Sequence, residues 1–147
     1  MFRPDVKTYD LDQVGFSFAG VPISGGYGEG SSILIKRNAP LYLFKVGRAG
    51  DVVRSRNNDK TGTVELTLLQ AEAANSTLNT IRLNDEYAAN GAGIGAFLCR
   101  DRSNGDEYYA AEAWIHELPE TEFGQETTDR KWVLICANLE FHPGGRL

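Results

Sequence analysis

Hydrophobic and polar residues alternate in several short runs along this chain of 147 residues. In the clearest run, Val64, Leu66 and Leu68 alternate with polar residues, which is typical of a strand with one buried face. The dipeptide Asn104-Gly105 is the best hairpin signal in the chain. Besides a short extended piece at 121–124, the pattern predicts about eight strands, at 14–18, 32–36, 41–46, 51–56, 63–68, 96–100, 107–118 and 131–141.

The spacing of the hydrophobic residues changes after Gln70. Ala74, Leu78 and Ile81 then share one face of a helix that ends near Tyr87. We expect this face to pack against the outside of the sheet. The opposite side of the helix is polar and should face a neighbouring molecule or solvent; it carries Glu72, Asn75, Asn79 and Arg82.

Two of the predicted strands are hydrophobic on both faces. In the last strand, one face carries Val133, Ile135, Ala137, Leu139 and Phe141, and the other begins with Trp132, Leu134 and Cys136. In the strand at 107–118, Tyr109, Ala111, Ala113 and Ile115 lie opposite Tyr108, Ala110 and Trp114. Strands of this kind are covered on both faces, and one helix covers only part of a sheet. We therefore expect further copies of the chain to supply the remaining cover.

The chain contains neither an internal repeat nor a linker, so we predict a single domain over residues 1–147. Its fold class is mostly β (α+β), an antiparallel β-sandwich or partly closed barrel with one packed α-helix. Residues 1–12 are interpreted as an irregular N-terminal arm, 24–32 as a glycine-rich loop and 36–62 as an extended loop or hairpin region.

Charge and cysteine content narrow the function classes. The formal net charge of -5 disfavours tight electrostatic capture of nucleic acid. Cys99 and Cys136 lie in hydrophobic runs and are predicted to be buried thiols, and a disulfide would require their strands to be neighbours. The first ten residues lack the hydrophobic stretch of a signal peptide, and no run approaches the roughly 18 residues of a membrane span. We expect a soluble protein without membrane contact, made in a reducing compartment.

No group of residues has the spacing of a catalytic or metal site. The run Gly91–Ala96 matches a dinucleotide fingerprint, but it follows a helix and precedes a strand, which is the reverse of the required order. His116 and His142 lie near carboxylates at strand ends, without a nucleophile or third partner. We therefore expect no catalytic residue, no cofactor and no bound metal, and hence no enzyme.

The basic residues of 36–62 are candidates for a contact surface and not for a catalytic site. This region is locally basic, because it contains Arg48, Arg54, Arg56 and Lys60. A nucleic-acid-binding face would need aromatic residues interleaved with those charges, so we interpret the region as a contact between subunits. Trp114 and Trp132 are further candidates for such a contact, because each lies in a strand that is hydrophobic on both faces.

The segment KTGTVELTLLQAEAANSTLNTI, within residues 59–82, carries a family resemblance. A glycine precedes an alternating strand that ends in Leu-Leu, and a helix with Asn and Leu follows. Together with the order of the other elements, this resembles the short tail tube proteins of contractile-tailed bacteriophages. The resemblance is sharp over 59–82 and looser over 107–141.

The resemblance implies a structural virion protein that forms hexameric rings. The rings would stack into the inner tube of the phage tail, through which DNA is ejected. The 36–62 region would reach the neighbouring ring. Implied partners are the same chain, the tail sheath, the baseplate and the tail terminator, while the tape measure protein and DNA pass through the lumen without specific binding. Assembly in the host bacterial cytoplasm and location in the virion tail are implied as well.

Two alternatives stay open from the sequence. A tube protein of a related contractile injection or secretion system would share the fold. A small β-sandwich module that binds a carbohydrate or peptide would instead expose an aromatic platform, formed by Tyr108, Tyr109 and Trp114.

Overall fold

Ten strands and one α-helix make up the described part of this computed structural model, which covers residues 6–23, 25–28, 32–88 and 90–145. The strands are β1 (Val14–Phe18), β2 (Val21–Ile23), β3 (Ile33–Arg37), β4 (Tyr42–Val46), β5 (Val52–Arg56), β6 (Gly62–Leu69), β7 (Gly95–Asp101), β8 (Asp106–Glu117), β9 (Asp129–Cys136) and β10 (Glu140–His142). Helix α1 spans Ala74–Tyr87, close to its predicted bounds. Parts of the predicted arm (1–5) and glycine-rich loop (24, 29–31) lie outside the described residues. The predicted mostly-β class is confirmed.

Eight strands form one antiparallel sheet in the order β2-β1-β7-β8-β9-β6-β3, with β10 paired to the first half of β8. Tyr27 shows that the sheet curls, because it contacts strands near both ends of the sheet. It pairs with Leu68 of β6, and its hydroxyl donates to the carbonyl of Ile23 in β2, at 3.1 Å. Within the described residues, the edge strands β2 and β3 do not pair with each other. The fold is therefore sandwich-like, as predicted, and the barrel is not closed.

The core lies on one face of this curled sheet. Its members come from β1, β2, β6, β7, β8 and β9, and the largest fully buried side chains include Phe18, Phe97, Leu66 and Leu134. Leu78 of α1 belongs to the same cluster, with Ala74 and Ile81 packed against it. The helix thus covers the core face, and the expectation that it packs on the outside of the sheet was wrong. An inner position follows because the hydrophobic side chains of β6 and the helix share one core.

Asn75 joins three elements at the strand-to-helix switch. Its side-chain amide donates to the carbonyls of Leu69 (2.9 Å) and Glu72 (3.1 Å), each of which also accepts a backbone N–H, so Asn75 reinforces the turn between β6 and α1. Its Oδ1 accepts a hydrogen bond from the indole Nε1 of Trp132, at 2.9 Å. Asn75 therefore points inward to β9, and its predicted outward position was wrong.

Two bulges set the faces of β8. Gly95 and Phe97 of β7 pair with Ala113 and Ala110, so β8 holds one extra residue between those two alanines. A second irregularity against β9 lies between Ile115 and Glu117. Because a bulge shifts the alternation by one residue, Ala110 and Ala113 both point into the core. The predicted faces, which assumed unbroken alternation, were wrong for this strand.

The predicted last strand is divided in two. It stops at Cys136, residues 137–139 interrupt the strand, and β10 then pairs with β8. Leu139 lies in this break: it is fully buried, and its backbone N–H donates to the carbonyl of Lys60 at 2.9 Å. A Cβ at Gly62 would lie 2.4 Å from Leu139 Cδ2, so the glycine allows this close approach.

Two short segments also differ from prediction. Ala19 and Gly20, with φ of 52° and 80°, form a tight turn into the short edge strand β2, which the sequence did not predict. Pro22 is tolerated there because β2 lies at the sheet edge, where a missing N–H costs no pairing. Conversely, residues 121–124 form no strand.

Candidate subunit-contact surface

The β4–β5 hairpin is hydrophobic on both faces and exposed along its whole length. All residues of both strands are exposed, and neither strand pairs with the main sheet. Phe44 is 71% exposed and Val53 66%. Runs as hydrophobic as Leu41–Val46 are typical of strands buried on both sides. Since an isolated two-stranded hairpin is marginally stable in water and these hydrophobic side chains are exposed, the hairpin is a candidate contact surface.

Each face of the hairpin has its own chemistry. Strand register places Tyr42 opposite Arg56 and Phe44 opposite Arg54, so aromatic and cationic side chains share one face. The Arg54 guanidinium lies 4.0 Å from the centre of the Tyr42 ring. The other face carries Leu43 and Val53, which lie opposite Ser55 and Lys45. The expectation that no aromatic residues are interleaved with these arginines was wrong, because cross-strand pairing places Tyr42 and Phe44 beside them.

Hydrogen bonds fix the base of the hairpin on the main sheet. The Asn38 side chain donates to Thr61 Oγ1 at 3.1 Å and accepts from Thr63 Oγ1 at 2.6 Å. On the return segment, Asp59 Oδ1 accepts from the backbone N–H and the hydroxyl of Thr61, and these bonds lower the pKa of Asp59. The hairpin is thus presented from an ordered base.

Charge is distributed unevenly between this region and the rest of the chain. Residues 36–60 contain seven lysines and arginines and two aspartates, a net charge of +5. The whole chain carries -5, so the remaining residues carry -10. The hairpin is therefore a basic extension of an acidic body.

The five residues predicted to form subunit contacts do not lie together. Arg48 lies exposed in the turn of the hairpin, and Arg54 and Arg56 lie exposed on β5. Trp114 is half-buried on β8, paired with Ile135 of β9. Trp132 is only 3% exposed and belongs to the core. The exposed hydrophobic residues of β4 and β5 were missed, although their hydrophobic runs beside arginines carried the signal.

The residues that could catalyse a reaction or bind a metal lie apart from one another. His142 lies 3.5 Å from Glu140 and is paired with Glu107 at the start of β8, whereas His116 lies near the other end of that strand. No group of His, Cys, Asp or Glu in the described residues could hold a metal ion. No described helix is long and hydrophobic enough to cross a membrane.

Both cysteines are buried free thiols. Strand β8 lies between their strands, β7 and β9, so the condition for a disulfide is not met. Burial raises the pKa of Cys99 to about 12 and that of Cys136 to about 11. Such thiols are protonated at neutral pH and are poor nucleophiles.

The aromatic platform expected of a ligand-binding module is not assembled. Tyr108 faces inward and packs against the ring of Phe141, with 4.7 Å between the ring centres. Tyr109 is the next residue on β8 and is exposed on the opposite face. The three aromatic residues thus cannot form one surface.

The family model described as the bacteriophage PhiTE tail tube protein matches residues 6–144. The chain belongs to this family and is a structural tail tube protein.

Individual relatives agree with the family. The chain is 26% identical over 120 residues to structural protein ORF10 of Pseudomonas phage KPP10, covering 82% of this chain and 69% of that protein. The fold resembles a chain of the anti-feeding prophage tube-terminating cap, with a TM-score of 0.60, 7% identity and coverage of 97% and 96% of the two chains. It also resembles a chain of the PVC sheath-tube complex, an extracellular contractile injection system, with a TM-score of 0.60, 9% identity and 92% coverage of both chains. The expected family and fold are confirmed.

Proposed function

We propose that this chain forms hexameric rings that stack into the inner tube of a contractile phage tail, with the β4–β5 hairpin as its main contact between copies. The exposed, two-faced hydrophobic hairpin is the observation that carries the proposal. Burial of its side chains at about 25 cal/mol per Å² would supply the association free energy. The fold shared with chains from sheath-tube and tube-terminator complexes supports a tube role.

The proposed tube is a passage for DNA and the tape measure protein. If the basic hairpin is used in contacts between copies, the remaining surface carries a large negative charge. A wall of that sign repels phosphates and lets a duplex slide, whereas a basic wall would bind it. The tail sheath, baseplate and tail terminator are the proposed outer and end partners, and assembly would take place in the host bacterial cytoplasm.

Electron microscopy of the purified protein tests the proposal. Six domains of radius about 15 Å closed in a ring give particles roughly 80 to 100 Å across, seen as rings or as tubes. Replacement of residues 41–57 by a short Gly-Ser turn should leave a folded protein that forms no tubes, because the hairpin makes no strand pairs with the body. Wild-type protein that stays monomeric at high concentration would contradict the proposal, and so would normal tubes from the hairpin-deleted variant.

A further inference from the structure

We propose that the β4–β5 hairpin of one copy docks on residues 117–129 of a second copy, through opposite charges around hydrophobic contacts. This acidic segment links β8 to β9. The proposal rests on the tube function proposed above and names the surface that receives the hairpin.

The hairpin brings unpaired positive charge. Lys45, Arg48, Arg54 and Arg56 are exposed, and none of them forms an ion pair within the described residues. Arg54 and Arg56 stand on the face that also exposes Tyr42 and Phe44. A matching partner must therefore offer carboxylates beside hydrophobic side chains.

The acidic segment offers both. Between Arg102 and Arg130 the sequence has no lysine or arginine, and five carboxylates fall within 117–129: Glu117, Glu120, Glu122, Glu126 and Asp129. All five are exposed, and none forms an ion pair in the described structure. Leu118 and Phe123, 53% and 81% exposed, lie among them.

The acidic segment is ordered before any partner arrives. Thr128 is bound to the body, because its backbone N–H donates to Gln70 Oε1 at 3.0 Å and its carbonyl accepts from the Gln70 N–H at 3.1 Å. The Thr128 hydroxyl donates to the carbonyl of Glu122 at 3.0 Å, which closes the segment on itself. A surface held in this way loses little conformational entropy on docking.

The two surfaces lie at opposite ends of the subunit. The hairpin leaves the sheet where Arg37 pairs with Gly62, at the start of β6. The acidic segment joins β9 at Asp129, which pairs with Leu69 at the end of β6. About seven strand residues separate these ends, on the order of 23 Å. Docking of one end on the other end of a second copy is therefore a head-to-tail contact, which can repeat from ring to ring along a stack.

Reversal of charge on each surface tests the pairing. The hairpin variant Arg54→Glu/Arg56→Glu and the segment variant Glu120→Arg/Glu122→Arg change only exposed side chains, so both should fold. We expect each variant to leave at least tenfold more protein unassembled than wild type, measured by sedimentation and electron microscopy. The variant that carries all four substitutions should regain tubes, and so should an equimolar mixture of the two double variants. In both cases each basic surface can meet an acidic one.

The outcomes separate this inference from the proposed function. Wild-type tubes together with normal tubes from the segment variant would overturn the inference alone. If neither the variant with all four substitutions nor the mixture regains tubes, the docking inference is overturned and the proposed function is not. Wild-type protein without rings or tubes would overturn both. Retention of duplex DNA by wild-type protein but not by the hairpin variant, with normal assembly of the segment variant, would identify nucleic acid as the occupant instead.

Discussion

Leu78 is the side chain on which the attachment of helix α1 should depend most. It is fully buried between the helix and the inward faces of the sheet. Leu78→Ala removes three carbon atoms, about 2.4 kcal/mol at roughly 0.8 kcal/mol per buried methylene. The cavity left behind adds to this, so the free energy of unfolding should fall by about 3 to 4 kcal/mol. Leu78→Asp should prevent folding, because it would bury an unpaired carboxylate.

Urea unfolding, followed by tryptophan fluorescence and circular dichroism, measures this loss. The substitutions are best placed in the Arg54→Glu/Arg56→Glu background, because assembly would otherwise add to the apparent stability. With an m-value near 2 kcal/mol per M, Leu78→Ala should lower the midpoint by about 1.5 to 2 M. Leu83→Ala is the matched control on the same helix, since Leu83 is 38% exposed, and should cost about 1 kcal/mol or less. Equal losses for the two variants would refute the placement of the helix face.

Two further predictions concern the core. Gly62→Ala should destabilise the protein by about 1 to 3 kcal/mol in the same urea assay, because the added Cβ would overlap Leu139. Gly124→Ala, which meets nothing within 4 Å, should be nearly neutral, and a comparable loss there would contradict the close approach of Leu139 to Gly62. Cys99 and Cys136 should react with a thiol reagent at pH 8 only after unfolding. The folded pKa values of the two thiols, about 12 and about 11, exceed the unfolded value of 9.0. Their contribution to the free energy of unfolding is therefore complete below pH 9 and declines as the pH rises toward 11 to 12. A flat stability from pH 8 to 11 would argue against their burial.

The segment at 59–82 shows how far local pattern carries. Alternation identified β6, and the change of spacing after Gln70 identified a helix that ends at Tyr87 in the structure. The sequence did not reveal why the switch needs Asn75, because its partners include the carbonyl of Leu69 and the indole of Trp132, and the latter lies on another strand. Local pattern finds the elements, but not the hydrogen bonds that join them.

The local pattern also indicated only part of the candidate contact surface, namely its arginines. The arginines of 36–62 indicated a subunit contact, and three of them are exposed on the hairpin. The hydrophobic partners of those arginines were missed, since a run such as Leu41–Val46 has the same pattern whether a core or another molecule covers it. Only the tertiary structure shows that this hairpin lies outside the main sheet and is not covered by the core of its own chain.

Periodicity, turn residues and motifs are local properties of a chain, so they were enough to predict the mostly-β class, most of the strands, the helix and the family resemblance. Tertiary structure decided which face of β8 is buried, where the last strand breaks and which side of the sheet the helix covers. Each of these depends on residues distant in sequence: the bulge opposite Gly95, the approach of Leu139 to Gly62, and the shared core around Leu78. Burial is a property of pairs of surfaces, and a linear pattern describes only one member of each pair.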